Sequence, residues 1–405
     1  MPSFAGVGYS EKIDSLEAGT EAARAAMEQL GSTSCDLAML FSTSRHDPKK
    51  LAQAVRSVIG NNSKLIGGYA IGIVTADHLG YDGFQVGVAV IRSDSVLFSQ
   101  FIATELPDNE YHVGLNLGHQ IVAAPDRATM NLIVMYDAVK KPPLEGMVFN
   151  LNLATPLVQG MTEALGQWPP VAGVGMLGDW QGSPTYQWFD DRIEQQAAMV
   201  LALAGDVRMD TTIMHGCRPS SGYHTITKAD SNVVLEIDDK PALEMIAELL
   251  GSGSFKSWED FPFFVTLGVN KGDRYGEFRE EEYANRLVMG IDRKRGGLIM
   301  FENDLKTGSD VQLMRRSIDL EYVVGRAEAL LRQASDRKPF FAFYIDCAGR
   351  GSAYCGTEGE EASGVQRTIG RAMPLLGIYS GVEIARVGPD IQALDWTGVL
   401  CVFSE

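Results

Sequence analysis

The sequence predicts a mixed α/β chain of α+β character, with curved mixed sheets, arranged as two domains built from duplicated strand–helix–strand–strand modules. Three observations carry this. Glycine-bracketed phrases recur at Ile66–Gly72, Val171–Gly178 and Leu376–Glu383. Each follows an apolar strand-like run (from Leu37, Leu132 and Phe341) and precedes another (Val86–Ile91, Ala197–Leu203 and Val399–Phe403). A unit repeated in one order marks a duplicated supersecondary module. Glycines bunched at a strand end let a backbone or a ligand approach closely. The 405 residues also exceed the size at which one core usually stops growing.

Ser15 to Leu30 reads as the opening helix. Ser15 caps it, Leu16, Ala23, Ala26, Met27 and Leu30 recur at helical spacing, and Gly31 ends it. Gly19 should weaken its first turn by about 1 kcal/mol relative to alanine. Asp36–Phe41 reads as a buried strand. Asp47 and Pro48 open a second helix with Leu51, Val55, Val58 and Ile59 on one face and Gly60 as its stop. Lys64–Gly72 closes the first module, and Phe84–Arg92 with Ser95–Ile102 alternates as a hairpin.

The second module starts at Met130, with a helix between about residues 150 and 165 and a hairpin of Ala197–Leu203 with Thr211–His215. Ala242–Leu250 reads as a short helix and Gly251-Ser252-Gly253-Ser254 as a linker. The domain boundary is set at residue 238, giving domains 1–238 and 239–405. Phe263–Gly268, Arg286–Asp292, Gly297–Phe301 and Val311–Arg315 read as a strand meander, and Leu320–Ala334 as an amphipathic helix. The most apolar strand, Pro339–Ile345, leads into Asp346-Cys347-Ala348-Gly349-Arg350-Gly351. A helix near residues 360–371 and the strand Gly398–Ser404 finish the chain.

Composition narrows the function classes. Apolar residues make up 45% and charged residues 21%, an ordinary globular balance. The formal charge of −17 repels phosphate backbones and anionic lipid, so neither nucleic acid nor a membrane is an expected partner. The opening residues have no basic segment followed by an apolar one, and no run nears the roughly 20 apolar residues of a bilayer span. Five cysteines (35, 217, 347, 355 and 401) without framework spacing predict a reduced, cytoplasmic protein.

Two clusters carry candidate chemistry. In the turn after the apolar strand, Gly349 and Gly351 can present N–H groups to an anion while Arg350 clamps a carboxylate. Cys347 beside that cation would have a lowered pKa and serve as nucleophile or thiolate ligand; the alternative is a plain strand-end turn around a small buried residue. The expected ligand pocket joins Asp346, Cys347, Gly349, Arg350 and Gly351 to Gly377, Tyr379 and Glu383, with Arg218. The second cluster is His215-Gly216-Cys217-Arg218-Pro219 with His224. Its spacing is no zinc pattern. Haem needs only one axial ligand from His215, His224 or Cys217 in an apolar pocket, and without Cys-x-x-Cys-His it would be b-type.

Other signals fail on context. Ser42–Asp47 collects Ser, His and Asp locally, whereas triad members converge from distant segments. Gly173, Gly175 and Gly178 match the letters of a dinucleotide fingerprint, but Asp179–Pro184 follows instead of a helix. Trp180, Tyr186 and Trp188 read as the wall of a pocket or interface.

The C-terminal phrases Cys347-Ala348-Gly349-Arg350-Gly351, Met373–Ile384 and Leu394–Leu400 resemble the FIST family. So do Ile66-Gly67-Gly68, Gly216–Pro219 with Thr225–Lys228, and Val234–Asp238 in the first half. The resemblance spans nearly the whole chain, as one N-terminal and one C-terminal FIST domain. It implies a sensory protein with a small ligand, an amino acid or similar carboxylate, whose two charged ends Arg350 and Glu383 would hold, the alternative for these two residues being a structural Arg–Glu pair. It also implies an alternative, a haem-binding nitric oxide or redox sensor. No kinase, cyclase or F-box segment is attached, so the signal would pass to a separate partner such as a histidine kinase. An enzyme using Cys347 or an acid–base pair is the reading from a different class.

Overall fold

The computed structural model describes residues 2–141, 150–251, 265–317 and 319–405. It is a mixed α/β fold of the expected class, and its repeats number three. The first contains β1 (Phe4–Ser10), α1 (Ser15–Leu30), β2 (Leu37–Ser42), α2 (Pro48–Ile59), β3 (Lys64–Tyr69), β4 (Gly72–Thr75), β5 (Leu79–Tyr81) and β6 (Val86–Arg92). The second contains β7 (Val96–Ala103), α3 (Glu110–Ala123), β8 (Asn131–Asp137) and the small pair β9 (Val139–Lys141) and β10 (Asn150–Leu151). It continues with α4 (Ala154–Leu165), β11 (Val171–Met176), β12 (Gln187–Phe189), β13 (Arg192–Glu194) and β14 (Ala198–Gly205).

β15 (Arg208–Met214) opens the third repeat, which a separate sheet then interrupts. That insert holds β16 (Cys217–Pro219), β17 (His224–Asp230), β18 (Val233–Ile237), β19 (Lys240–Pro241), α5 (Ala242–Leu249), β20 (Val265–Asn270), β21 (Tyr283–Arg286), β22 (Val288–Asp292), β23 (Gly297–Met300) and β24 (Asp310–Arg316). The repeat resumes with α6 (Tyr322–Gln333), β25 (Pro339–Cys347), α7 (Ser352–Cys355), α8 (Ala362–Val365, followed by a π-helical turn, Gln366–Gly370), β26 (Leu375–Ser380), β27 (Val382–Val387), β28 (Asp390–Leu394) and β29 (Gly398–Ser404).

The strand orders are β1-β6-β2-β3-β12-β13, β7-β14-β8-β11-β27-β28 and β15-β29-β25-β26-β4-β5. The order is one pattern used three times, with a parallel central pair (β2/β3, β8/β11, β25/β26) in each sheet. Four strands of every sheet belong to its own repeat, and the last two are a hairpin sent over from another. The inner faces share one apolar cluster that includes Met39, Phe41, Met135, Val174, Phe343 and Ile378. Each outer face packs beneath its own helices, as Leu40 and Val88 do under Ala22 and Leu51.

The two hairpins expected from alternation do not form. β6 pairs with β1 and β2, whereas β7 pairs with β14 in the next sheet. β14 and β15 part in the same way, β15 pairing with β29. Alternation reports that one face of a strand is buried; it does not say which strand lies alongside. The opening helix is capped by Asp14, whose carboxylate accepts from the N–H groups of Leu16 (2.9 Å) and Glu17 (3.0 Å). Ser15 is instead the first helical residue. Its hydroxyl accepts from Asp47 N (3.0 Å) and lies 3.2 Å from His46 Nδ1. Gly19 has a packing reason, since a Cβ there would sit 2.9 Å from Ala54 Cβ on α2. Asp47, Pro48, Gly31 and Gly60 take their expected cap positions. Of the linker at 251–254 only Gly251 lies in the described residues, and the first two residues of the strand expected at 263–268 lie outside them. Among the described residues no helix is long and apolar enough to cross a membrane.

The glycine phrases mark the places where the chain leaves one sheet for another. Gly67 holds φ +149°, and a Cβ there would come 1.8 Å from the Leu40 carbonyl oxygen of the neighbouring strand. The close approach is thus of backbone to backbone. Gly67→Ala should cost more than about 3 kcal/mol, combining backbone strain with a main-chain clash. Urea unfolding checks this, and a loss below about 1 kcal/mol would mean that the strand pair relaxes around the methyl group.

Candidate functional site

β25 ends at the centre of a buried charged chain. Its last turn brings Arg350, 1% exposed, back over Asp346, with Nε 2.9 Å from Asp346 Oδ1. The guanidinium pairs with Glu361, which is also 1% exposed. It also donates to the Met214 carbonyl, to the Trp396 carbonyl (3.2 Å) and to the Tyr322 hydroxyl (3.1 Å). Glu361 takes a second cation, Arg316 of the insert (2.5 Å), and accepts from the Tyr322 hydroxyl (3.0 Å). Arg316 lies over the Trp396 ring, 4.9 Å from its centre. Arg316, Glu361, Arg350 and Asp346 thus form a buried chain of alternating basic and acidic groups, the arrangement that offsets the desolvation of buried ions.

The fold brings most of the expected site residues to this place. Cys347 is buried, and that burial, reinforced by the Glu383 carboxylate, pushes its thiol well above the ordinary range. Gly349 lies under the Trp396 ring, and Gly351 donates its N–H to the Ala348 carbonyl (3.1 Å). Gly377 sits mid-strand between Tyr344 and Val74. Glu383 accepts from the Ser380 hydroxyl (2.8 Å) and Thr397 N (3.3 Å), and burial pushes its carboxyl well up. The carboxylates on Arg350 are therefore those of Asp346 and Glu361, with Glu383 held by its own neighbours.

His215 and Cys217 lie behind the network. His215 is fully buried: Nδ1 accepts from Cys217 N (3.0 Å) and Nε2 lies 3.1 Å from the Glu280 carbonyl oxygen. Burial pushes its imidazole pKa down and the Cys217 thiol up to about 12. Arg218 and His224 stand apart. Arg218 is exposed over the Phe278 ring (5.3 Å). His224 places Nδ1 2.7 Å from Asp238 Oδ2, while its buried Nε2 has no hydrogen-bond partner.

An outer layer includes the expected Tyr379 and Trp180 but centres on Glu360, Tyr81, Ser352 and Tyr354, which sequence reasoning missed. Glu360 accepts from the hydroxyls of Tyr81 (2.6 Å), Ser352 (2.5 Å) and Tyr379 (3.2 Å) and from Ser352 N (3.1 Å). Tyr81 comes from the first repeat, Trp180 from the second, and Tyr354 and Glu360 from the third. The Tyr81 and Tyr354 rings are 5.2 Å apart and those of Trp180 and Tyr354 4.5 Å. Tyr81 and Glu360 are 279 residues apart, and no local pattern ties them. Two open clefts, of about 750 and 760 Å³, lie elsewhere, on either side of α4.

Asp346 gives the site a pH signature. Burial raises its carboxyl, Arg350 opposes this and Glu361 adds to it, leaving it at about 7. A folded-state value above the unfolded one means that the native protein keeps a proton the unfolded chain has lost. This stabilising contribution is complete below about pH 4 and is lost as pH rises towards 7. Raising the pH from 5 to 7 should therefore lower urea stability, by up to about 1.4 kcal/mol per unit from this group, and Asp346→Asn should flatten the slope. Equal slopes in both proteins would refute the assignment.

Comparison with known proteins finds relatives along the whole chain. An uncharacterized protein of Mycobacterium tuberculosis (strain H37Rv) is 24% identical over 99% of each chain, and one of Mycobacterium bovis is 21% identical over 99% of this chain and 98% of its own. An uncharacterized protein of Methanocaldococcus jannaschii is 23% identical over 45% of this chain and 36% of its own. Among solved structures, a chorismatase aligns over 100% of this chain and 99% of its own with TM-score 0.35 and 8% identity. A cyanuric acid hydrolase aligns over 100% of both chains with 0.32 and 9%. Both scores are too low to assign a fold or an activity. The FIST N domain matches residues 36–240 and the FIST C domain residues 242–386. The chain belongs to the FIST family, whose domains are small-ligand sensory domains of signalling proteins.

Proposed function

We propose that this chain is a cytoplasmic sensory protein that binds a small ligand, an amino acid or similar carboxylate, and signals through a separate partner such as a histidine kinase. The reading rests on one observation. Tyr81 of the first repeat bonds Glu360 of the third, Trp180 of the second packs on Tyr354 beside them, and one layer deeper Arg350 and Glu361 tie the third repeat to the insert. A ligand bound at this junction would bear on the contacts between repeats, and a binding event that favours one arrangement of them biases a global equilibrium. Its ammonium group would meet Glu360. Its carboxylate reaches Arg350 only by displacing Glu361, because every nitrogen of that guanidinium is engaged. Release of Glu361 loosens Arg316, and that exchange is the signal. The cytoplasmic assignment draws on five free, buried cysteines. The enzyme reading has little support, since the buried Cys347 thiol is held protonated.

The test is a thermal-shift screen of amino acids and small carboxylates on the whole chain. A ligand of this site should raise the wild-type Tm and lose most of that effect with Glu360→Gln and Tyr81→Phe. A ligand that stabilises both variants as it does the wild type binds elsewhere and sinks this placement.

The haem reading has one supporting observation. His215 does not fit an iron ligand, both ring nitrogens being engaged, whereas His224 has its Nδ1 held by Asp238 and its Nε2 free of hydrogen bonds. If haem binds there, hemin should give a Soret band that moves with nitric oxide and disappears in His224→Ala. No band, or one indifferent to that substitution, removes the reading.

A further inference from the structure

The threefold pattern builds three equivalent grooves, each between the helical segment that precedes the glycine phrase of a repeat (α2, α4, and α8 with its π-helical turn) and the turn of the hairpin sent over from another. In the first repeat Arg56 of α2 crosses the groove. Its Nε lies 3.3 Å from Asp191 Oδ1 and its NH2 3.6 Å from Asp190 Oδ1, at the β12–β13 turn. Its NH1 donates to the carbonyls of Ser63 (2.6 Å) and Gly60 (3.3 Å), beyond the helix C-terminus. In the third repeat Gln366 crosses to the carbonyls of Thr75 (2.7 Å) and His78 (2.9 Å) at the β4–β5 turn. The second groove is different: it is an open cleft of about 750 Å³.

The sequence explains why. α2 and α4 are both 12 residues long, and Gly67 and Gly173 follow their ends at the same interval, so Arg56 and Thr162 are equivalent positions. Thr162 is too short to cross. Its hydroxyl donates to the Val158 carbonyl (2.7 Å) and accepts from Trp168 Nε1 (2.9 Å), which fixes the indole ring at the cleft wall. The place of a guanidinium is kept, with an aromatic face added, and the guanidinium itself is missing.

The charges around the cleft are largely paired among themselves. Of the cations that line it, Lys271 lies 3.8 Å from Asp390 and Arg386 donates to the Pro389 carbonyl (3.0 Å). Asp304 is held by Arg286, and Glu163 sits at the exposed rim. The C-terminal turn of α4 opens onto the same space; its Leu165 carbonyl accepts from Arg127 (2.6 Å), and the negative end of the helix dipole disfavours an anion there. The chain's charge of −17 acts in the same direction at long range.

We propose that this cleft binds a small organic cation of the guanidinium or amine class, held against Trp168 in the position that Arg56 fills in the first repeat. The cleft shares no residue with the junction around Glu360, so the proposal stands independently of the function proposed above.

Calorimetric titration of the whole chain with agmatine tests it, with benzoate as the anionic control. Agmatine should bind once per chain and benzoate should not. Trp168→Ala should weaken agmatine by roughly tenfold or more. Thr162→Arg supplies a tethered guanidinium and should abolish binding while leaving Tm unchanged or higher; Thr162→Gln, a smaller replacement that also reaches into the cleft, should weaken it if the arginine variant folds poorly. Absence of agmatine binding, equal binding by the Trp168 and Thr162 variants, or comparable binding of benzoate would each overturn the proposal.

Discussion

No repeat in this chain finishes its own sheet. The hairpin β12–β13 of the second repeat completes the first sheet, β27–β28 of the third completes the second, and β4–β5 of the first completes the third. This exchange governs the rest of the fold. It covers one edge of each central strand pair and closes the three sheets around a common apolar interior. It also requires each chain segment to turn between sheets within a few residues, which is why a glycine-bracketed phrase recurs. Removing one repeat would strip two sheets of partners, so cooperativity across the three sheets is built into the connectivity.

Within that frame the Arg350 network is costly unless complete. Two guanidinium and two carboxyl groups lie almost wholly out of water, and each meets at least one group of opposite sign. Replacing Glu361 would leave Arg316 without its carboxylate, and replacing Arg350 would leave Asp346 without its guanidinium, whereas the intact chain fixes the insert, α6, β25 and α8 in a single arrangement. The Tyr322 hydroxyl, donating to Glu361 and accepting from Arg350, holds the register between the two.

Much of this was legible in the sequence. The helix limits at Asp47, Gly31 and Gly60 follow from local capping chemistry, and the strand Gly398–Ser404 from an uninterrupted apolar run. The glycine phrases disclosed the repeat because backbone crossing constrains residue type directly. Strand partners were not legible, since β6 and β7 alternate as hairpin strands do and yet lie in different sheets. The site divides in the same way. Arg350 stands out in its glycine-flanked turn, but nothing local separates Glu361, which holds it, from Glu383, which does not. Tyr81 joins Glu360 only through the hairpin exchange.

α4 shows how the insert enters this scheme. Leu153 precedes the helix and offers no side-chain cap. The missing acceptor comes from the insert, where Glu302 takes the N–H groups of Ala154 (3.0 Å) and Thr155 (2.9 Å). The insert is fastened further by Arg286 to the Ala393 carbonyl (2.9 Å) and by Leu287 N to Asp395 (3.0 Å), both beside the hairpin that closes the second sheet. One helix is therefore gripped at its N-terminus by the insert and opens at its C-terminal half onto the cleft beside that hairpin. A shift of α4 along its axis would strain the Glu302 cap and change the cleft together. The helix thus joins that cleft to the insert, whose Arg316 pairs with Glu361 and so with Arg350.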